Sequence, residues 1–336
     1  MIVSGVRWAG PLKAGDKLSR RLGVEPPQEA YVLVDFFPDV KQAAAARIIK
    51  RSGGKISPNR YLGASALLVR IDTADLEKLA AHDEVSFVYP ASKAVIQNLP
   101  VHRCPGPLTE FGAVANYAAN GSGWDGPGAG SAALTYYFVN GTPDVTDEQS
   151  EVVRALNVWS QYAEITWTPA SLPNRNRSID ISWSSFDHGD PFPFDGPGNV
   201  LAHCFYPSPP NSETIAGDMH LDESETWRVG VDTDIFSVAL HEAGHGLGLN
   251  HSDDPSAVMY PSYSGVVAGL QADDIAGIRS LYATSGGGGG SGDSYEPDNS
   301  PAQARQIDTG SEQSHSIVPA DDLDYVRFSL ANLQTS

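Results

Sequence analysis

Three histidines and one glutamate in HEAGHGLGLNH, residues 241–251, stand at the spacing a catalytic zinc requires. His241 and His245 lie four residues apart, so on a helix they share one face and both imidazoles reach one ion. Gly248 can adopt a left-handed conformation and end that helix, after which the returning chain brings in His251 as a third ligand. Three protein nitrogens leave a fourth position for water, the mark of a catalytic rather than a structural zinc. Glu242 is placed to hold that water and take its proton. The added glycine and third histidine make the pattern far more specific than H-E-x-x-H alone, and weigh against a helix that is merely rich in histidine.

A second set lies upstream. His188, Asp190, His203 and His220 supply three imidazoles and a carboxylate, a closed tetrahedral set suited to a structural zinc. Six of the nine histidines fall into these two groups, which weighs against ordinary loop polar groups. Asp195-Gly196-Pro197-Gly198, with Asp222 and Glu225, suggests a calcium site: carboxylates plus carbonyls exposed by a glycine-rich turn suit a hard cation. The plainer alternative is a solvated acidic turn. Cys104, in VHRCPGP, offers a thiolate that would serve as a fourth zinc ligand and displace the water. It could instead pair with Cys204 or stay idle. Cys204 follows His203 on a strand, so it points to the opposite face, into packing.

The chain must position these groups. Its 336 residues suffice for two or three domains. A formal net charge of −19 argues against nucleic acid or anionic membranes as partners. Two cysteines exclude a disulfide scaffold. No apolar run is long enough to span a membrane, and MIVSGVRWAG lacks the apolar core of a signal peptide, so the chain reads as a fragment or a processed form, or as one not secreted by that route. Residues 1–28 are a leader without assigned structure. Strands at 31–37, 55–57, 64–71 and 84–89, a helix at 40–51 and another from a Thr73 cap to about Ala81 give βαββαβ within 29–92, the ferredoxin-like order. Residues 93–128 read as an exposed connector. From 129 to 284 the pattern is α/β (α+β): strands at 133–139, 165–168, 179–183 and 199–206 around three helices. These are a Thr146-capped helix, the zinc-motif helix from about Asp234, and 271–282. Residues 285–292 are a glycine-rich linker, and 293–336 look strand-rich but are too short for a complete β-sandwich.

Ser252 directly after the third histidine, and SAVMYP with Met259 at a turn, resemble the matrixins within the metzincin zinc proteases. LTYYFVNGTPDV, HGDPFPFDGPGNVLAH, GDMHLDESETW and DDIAGIRSLY extend that resemblance over residues 131–283. It implies a twisted mixed sheet with three helices, and it assigns His188, Asp190, His203 and His220 to a structural zinc. It assigns calcium to Asp195, Asp222, Glu225 and the carbonyls of Gly196, Gly198 and Val200. A second calcium set is incomplete: Asp218 is kept, but Thr214 and Ala216 stand at usual glycines and Ser178 at an aspartate. Pro261 disfavours the metzincins that use a tyrosine ligand two residues after the methionine. Residues 29–92 resemble subtilisin-type propeptides through VLVDFFPDV and HDEVSFVYPAS, implying a zymogen with its own propeptide as intramolecular inhibitor. The tail resembles the start of a bacterial pre-peptidase C-terminal domain. Matrixin propeptides hold zinc through P-R-C-G-x-P-D; here Arg103-Cys104 survives while the Gly and Asp positions do not.

The expected function is a secreted, monomeric zinc endopeptidase acting on proteins or peptides. Glu242 is its general base, Asn199–His203 its substrate edge, and 251–263 its pocket wall. The alternatives are a non-catalytic extracellular zinc- and calcium-binding adhesion module, and a protease inhibitor working through 29–92.

Overall fold

The computed structural model describes residues 13–22, 29–37, 39–62, 66–109, 112–113, 123–126, 130–263, 265–285, 305–306 and 326–327. The expected linker beyond Ser285 lies outside them, as does the tail apart from one short parallel pairing.

The N-terminal unit runs β1 (Glu29–Phe36), α1 (Gln42–Arg51), β2 (Lys55–Ile56), β3 (Ala66–Asp72), α2 (Leu76–Ala80) and β4 (Val85–Pro90). Its antiparallel sheet has the order β2-β3-β1-β4. YVLVDF is almost continuously apolar because β1, a central strand, is buried on both faces. Val32, Val34 and Phe36 join the cluster of Ile48, Ile49 and Leu79. Leu33 goes to the opposite face with Leu68, Phe87 and Tyr89. Asp72, rather than the expected Thr73, caps the 3-10 turn at 73–75 that leads into α2, accepting from Ala74 N at 2.9 Å. Two short 3-10 turns at 14–17 and 20–22, in the leader expected to lack structure, dock on β4: Ser19 N donates to Val88 O at 2.9 Å.

α3 (Lys93–Ile96) is followed by three short strands, β5 (His102–Arg103), β6 (Leu108–Thr109) and β7 (Gly112–Ala113). The expected exposed connector is corrected over 101–109. Val101 is buried in the cluster of Leu33, Phe87, Tyr89 and Tyr260, and Leu108 is buried beside Phe205 of the next unit.

That unit contains β8 (Ala132–Phe138), α4 (Glu148–Tyr162), β9 (Ile165–Pro169), β10 (Ser178–Ser184), β11 (Ala202–Cys204) and β12 (Met219–Asp222). It continues with β13 (Trp227–Arg228), β14 (Thr233–Asp234), α5 (Ile235–Gly246), β15 (Ser262–Tyr263) and α6 (Ala272–Leu281); β16 (Arg305–Gln306) and β17 (Val326–Arg327) form the tail pairing. The five-stranded sheet is mixed, in the order β11-β12-β10-β8-β9, with only edge strand β11 antiparallel to its neighbour. β11 is shorter than the expected 199–206 strand, pairing with β12 at only three positions. Asp147, not Thr146, precedes α4, whose first-turn Glu148 and Glu151 favour the positive helix end. Trp159 of α4 is fully buried and donates from Nε1 to Leu240 O of α5 at 3.0 Å. Truncating it to alanine would cost about 3–5 kcal/mol.

Candidate metal centre and catalytic cleft

α5 starts where the Asp234 side chain accepts from Ser237 N at 2.9 Å, an N-cap bond. Every residue of the helix except His241 is buried, so its histidine face is set rigidly against the core. At its end Gly248 has φ +102°, and Leu249 N donates to Gly244 O at 2.9 Å as the chain turns back. His251 then joins His241 and His245, with ring centroids 4.8–5.3 Å apart. Two carbonyls orient the rings. His241 Nδ1 meets Val258 O at 2.7 Å and His245 Nδ1 meets Leu249 O at 2.8 Å, so both Nε2 lone pairs face inward.

The site passes a direct test for a cation. His241 Nε2, both ring nitrogens of His251 and Glu242 Oε2 are buried without a protein partner. Such orphaned lone pairs are costly unless an ion or water satisfies them. Burial holds His241 down to about 4 and His245 and His251 well below the usual range, keeping them in the neutral form that binds metal. Burial also pushes Glu242 up to about 8, with the Cys104 side chain opposing that shift.

Met259 lies under this face. A Cβ on Gly244 would overlap Met259 Sδ and approach Trp159 within 2.9 Å, so only glycine permits the close packing. The Asp274 carboxylate accepts from Val258 N and Met259 N, both at 2.9 Å, and from Gln271 N at 2.8 Å. It ties the methionine turn to the start of α6, a role that sequence reasoning missed although an acid in a helix's first turn was visible there.

Cys104 joins the same cluster. Its Sγ is 3.4 Å from His245 Nε2, and the four ligand atoms all lie within 4.8 Å of one another. Both cysteines are free thiols, so the alternative pairing of Cys104 with Cys204 is not formed. Burial raises both thiols well above their ordinary range, and the nearby Glu242 charge adds to it. The cavity beside the cluster, of about 110 Å³, is lined by Val238, Ala257, Val258, Tyr263 and Val267 among others. The expected pocket wall between 251 and 263 thus faces it from one side.

The upstream set also converges. His188 Nε2, His203 Nε2 and His220 Nδ1 each lie 2.9–3.0 Å from Asp190 Oδ2. Burial opposes ionisation of Asp190, but hydrogen bonds from His203 and His220 outweigh it and hold the carboxyl well below its usual range. Two imidazole nitrogen pairs at 3.1 and 3.2 Å face each other there, an arrangement a central cation resolves. Phe194 stacks on His188 and His203, each at 4.8 Å, an aromatic wall that spacing alone did not signal.

The acidic turn is partly assembled. Glu225 accepts from Gly198 N at 2.5 Å and Asp195 from Val200 N at 3.4 Å, while Asp222 Oδ2 is buried without a partner. Burial raises Glu225; the Gly198 amide opposes this, and the Asp222 and Asp195 charges reinforce it, so the three carboxylates share one field. Gly196 and Gly198 both have positive φ, which turns the loop. Asp218, by contrast, is pushed up to about 8 by burial.

Residues 128–283 match the family profile described as Matrixin. This segment is similar to the matrixin catalytic domain. Karilysin of Tannerella forsythia is 38% identical over 180 residues, covering 53% of this chain and 36% of its own length. Matrilysin of Rattus norvegicus is 43% identical over 159 residues, covering 45% of this chain and 57% of its own. Matrix metalloproteinase-18 of Xenopus laevis is 43% identical over 158 residues, covering 45% and 32%. The chain therefore spans between about a third and just over half of these relatives. The matched segment holds both histidine clusters, and Cys104 reaches it from outside. Among the described residues no helix is long and apolar enough to cross a membrane.

Proposed function

We propose that the protein is a zinc-dependent endopeptidase kept latent by its own N-terminal segment. The convergence of His241, His245 and His251 beside Glu242, with the inward-facing nitrogens of His241 and His251 lacking any hydrogen-bond partner, carries this reading. These three histidines would hold zinc, which supplies Lewis acidity when bound. Glu242 takes a proton from water at its carboxylate and delivers it to the leaving amine; its buried, unpartnered Oε2 is the atom available for this. Edge strand β11 offers main-chain groups to an extended protein or peptide substrate, and the cavity below takes the side chain after the cut bond.

His188, Asp190, His203 and His220 hold a structural zinc. Asp195, Asp222 and Glu225, with the carbonyls of Gly196, Gly198 and Val200, hold calcium. Both ions brace the loop that leads into β11. Residues 29–92 act as a propeptide with the subtilisin-type strand order, and Cys104 takes the fourth position at the catalytic zinc. The protein is secreted and monomeric, and its last 44 or so residues begin a pre-peptidase C-terminal-like domain. The relatives named above carry protease names, which does not favour the adhesion-module alternative.

The deciding experiment incubates the purified chain with zinc and calcium, follows casein turnover and reads new N-termini by mass spectrometry. Cleavage between Cys104 and Ser131, accompanied by chelator-sensitive activity, is the expected result. An uncut chain that is already fully active would overturn the latent state. Proteolysis retained by zinc-loaded Glu242→Gln would overturn the mechanism.

A further inference from the structure

The strap crosses the cleft at fixed points. Arg103 pairs with Ser262 and His102 with Tyr263 in antiparallel register, and Cys104 N donates to Pro261 O at 3.2 Å. On the far side Tyr206 N donates to Leu108 O at 2.9 Å. Main-chain bonds set the strap's register and the direction of its side chains, and Gly106 N donates to Cys104 Sγ at 3.3 Å; the far end of Arg103 is placed by its own contacts.

Arg103 is held by a residue far away in sequence. Its Nη1 lies 3.1 Å from Asp35 Oδ1 and its Nη2 3.2 Å from Asp35 Oδ2, a two-pronged ion pair, and Nη2 also donates to Tyr89 Oη at 3.2 Å. The side chains are only 14% and 6% exposed. Asp35 sits on central strand β1, two residues from Leu33 and so on the same apolar face, where a lone carboxylate would be costly. Residues 99–109 contain no acidic residue, so no neighbour in the strap can replace it. Leu108 stands where the matrixin switch pattern has its aspartate.

We propose that Asp35 is a positioning residue that, through Arg103, sets the Cys104 thiol against His241, His245 and His251. This rests on the reading of Cys104 as the group that blocks the metal centre. Latency is then tied to the assembled fold of 29–90: disrupting that sheet anywhere withdraws the carboxylate and frees the thiol, whereas the strap by itself would block poorly. An Asp–Arg fork constrains both direction and rotation, which a single-point contact would not.

The test is a double-mutant cycle on the intact zinc-loaded chain. Its readout is the rate of Cys104 alkylation by iodoacetamide, followed by peptide mapping that separates Cys104 from buried Cys204. Asp35→Asn and Arg103→Lys should each speed alkylation by about tenfold to a hundredfold, as loss of a charge-assisted fork implies. The double variant should be no faster than the faster single one, because both break the same contact. Arg103 lies outside the four-stranded sheet, so Arg103→Lys stays informative if Asp35→Asn unfolds that sheet. In cobalt-substituted protein, Asp35→Asn should also lose the near-ultraviolet thiolate-to-cobalt absorption, which general loosening elsewhere would leave in place. Wild-type protection in either single variant, or effects that multiply in the double, overturns the proposal. A peptidase assay of the zinc-loaded chain cut between Cys104 and Ser131 and freed of its N-terminal piece tests the underlying reading separately: no activity there, with the alkylation cycle as expected, would leave the latch standing and remove the protease assignment.

Discussion

The ring of Tyr260 meets that of Tyr89 edge to face, with centroids 5.9 Å apart and planes at 71°. One belongs to the turn after Met259, the other to β4 of the N-terminal unit, and both lie in the same buried cluster. Tyr260 Oη also accepts from Ser92 N at 3.1 Å and donates to Pro90 O at 3.0 Å. A residue of the catalytic cleft therefore completes the core of the segment that covers it.

Tyr260→Phe should lower the stability of the intact chain by about 1–3 kcal/mol, since Ser92 N and Pro90 O would be left buried and unpaired. Denaturant unfolding would measure this. The same substitution in a chain cut after the strap should cost little, because those partners are then gone. An equal loss in both forms would contradict the assignment of Tyr260 to the interface.

Asp274→Asn should destabilise the unit of residues 130–285 by about 2–3 kcal/mol. The carboxylate accepts three main-chain N–H groups; an amide has one oxygen, and its NH₂ faces donors. Thermal unfolding of the variant, together with peptidase activity at a temperature where it remains folded, would separate loss of stability from displacement of Met259.

His203→Ala should remove one zinc per chain by elemental analysis while the catalytic ion stays, because the two clusters share no ligand. Unchanged zinc content would exclude a structural metal at His188, Asp190, His203 and His220.

Glu225→Gln should raise the calcium concentration needed for half-maximal thermal stabilisation by about tenfold, since it removes one of three charged ligands from a site whose affinity follows ligand charge. A melting curve indifferent to calcium in the unsubstituted chain would remove the calcium site altogether.

Sequence by itself determined what local spacing controls. Histidines four apart share a helix face wherever that helix packs, and Gly248 turns the chain by its own backbone freedom, so the meeting of His241, His245 and His251 was legible in eleven residues. Apolar alternation likewise located most of the longer strands to within a few residues, but not β12, whose MHLD reads as an acidic segment. The cap at Asp72 and the start of α4 after Asp147 were missed because neighbouring acids and threonines compete for the same position, and only backbone geometry chooses between them. Tertiary structure alone decided that 101–109 is buried in a cleft, that Cys104 rather than a distant group meets the histidines, and that Asp35 answers Arg103 across 68 positions. The reason is physical. A buried charge or thiol is satisfied by whatever the packed surfaces bring within about 3 Å, and that partner leaves no periodic trace in the chain.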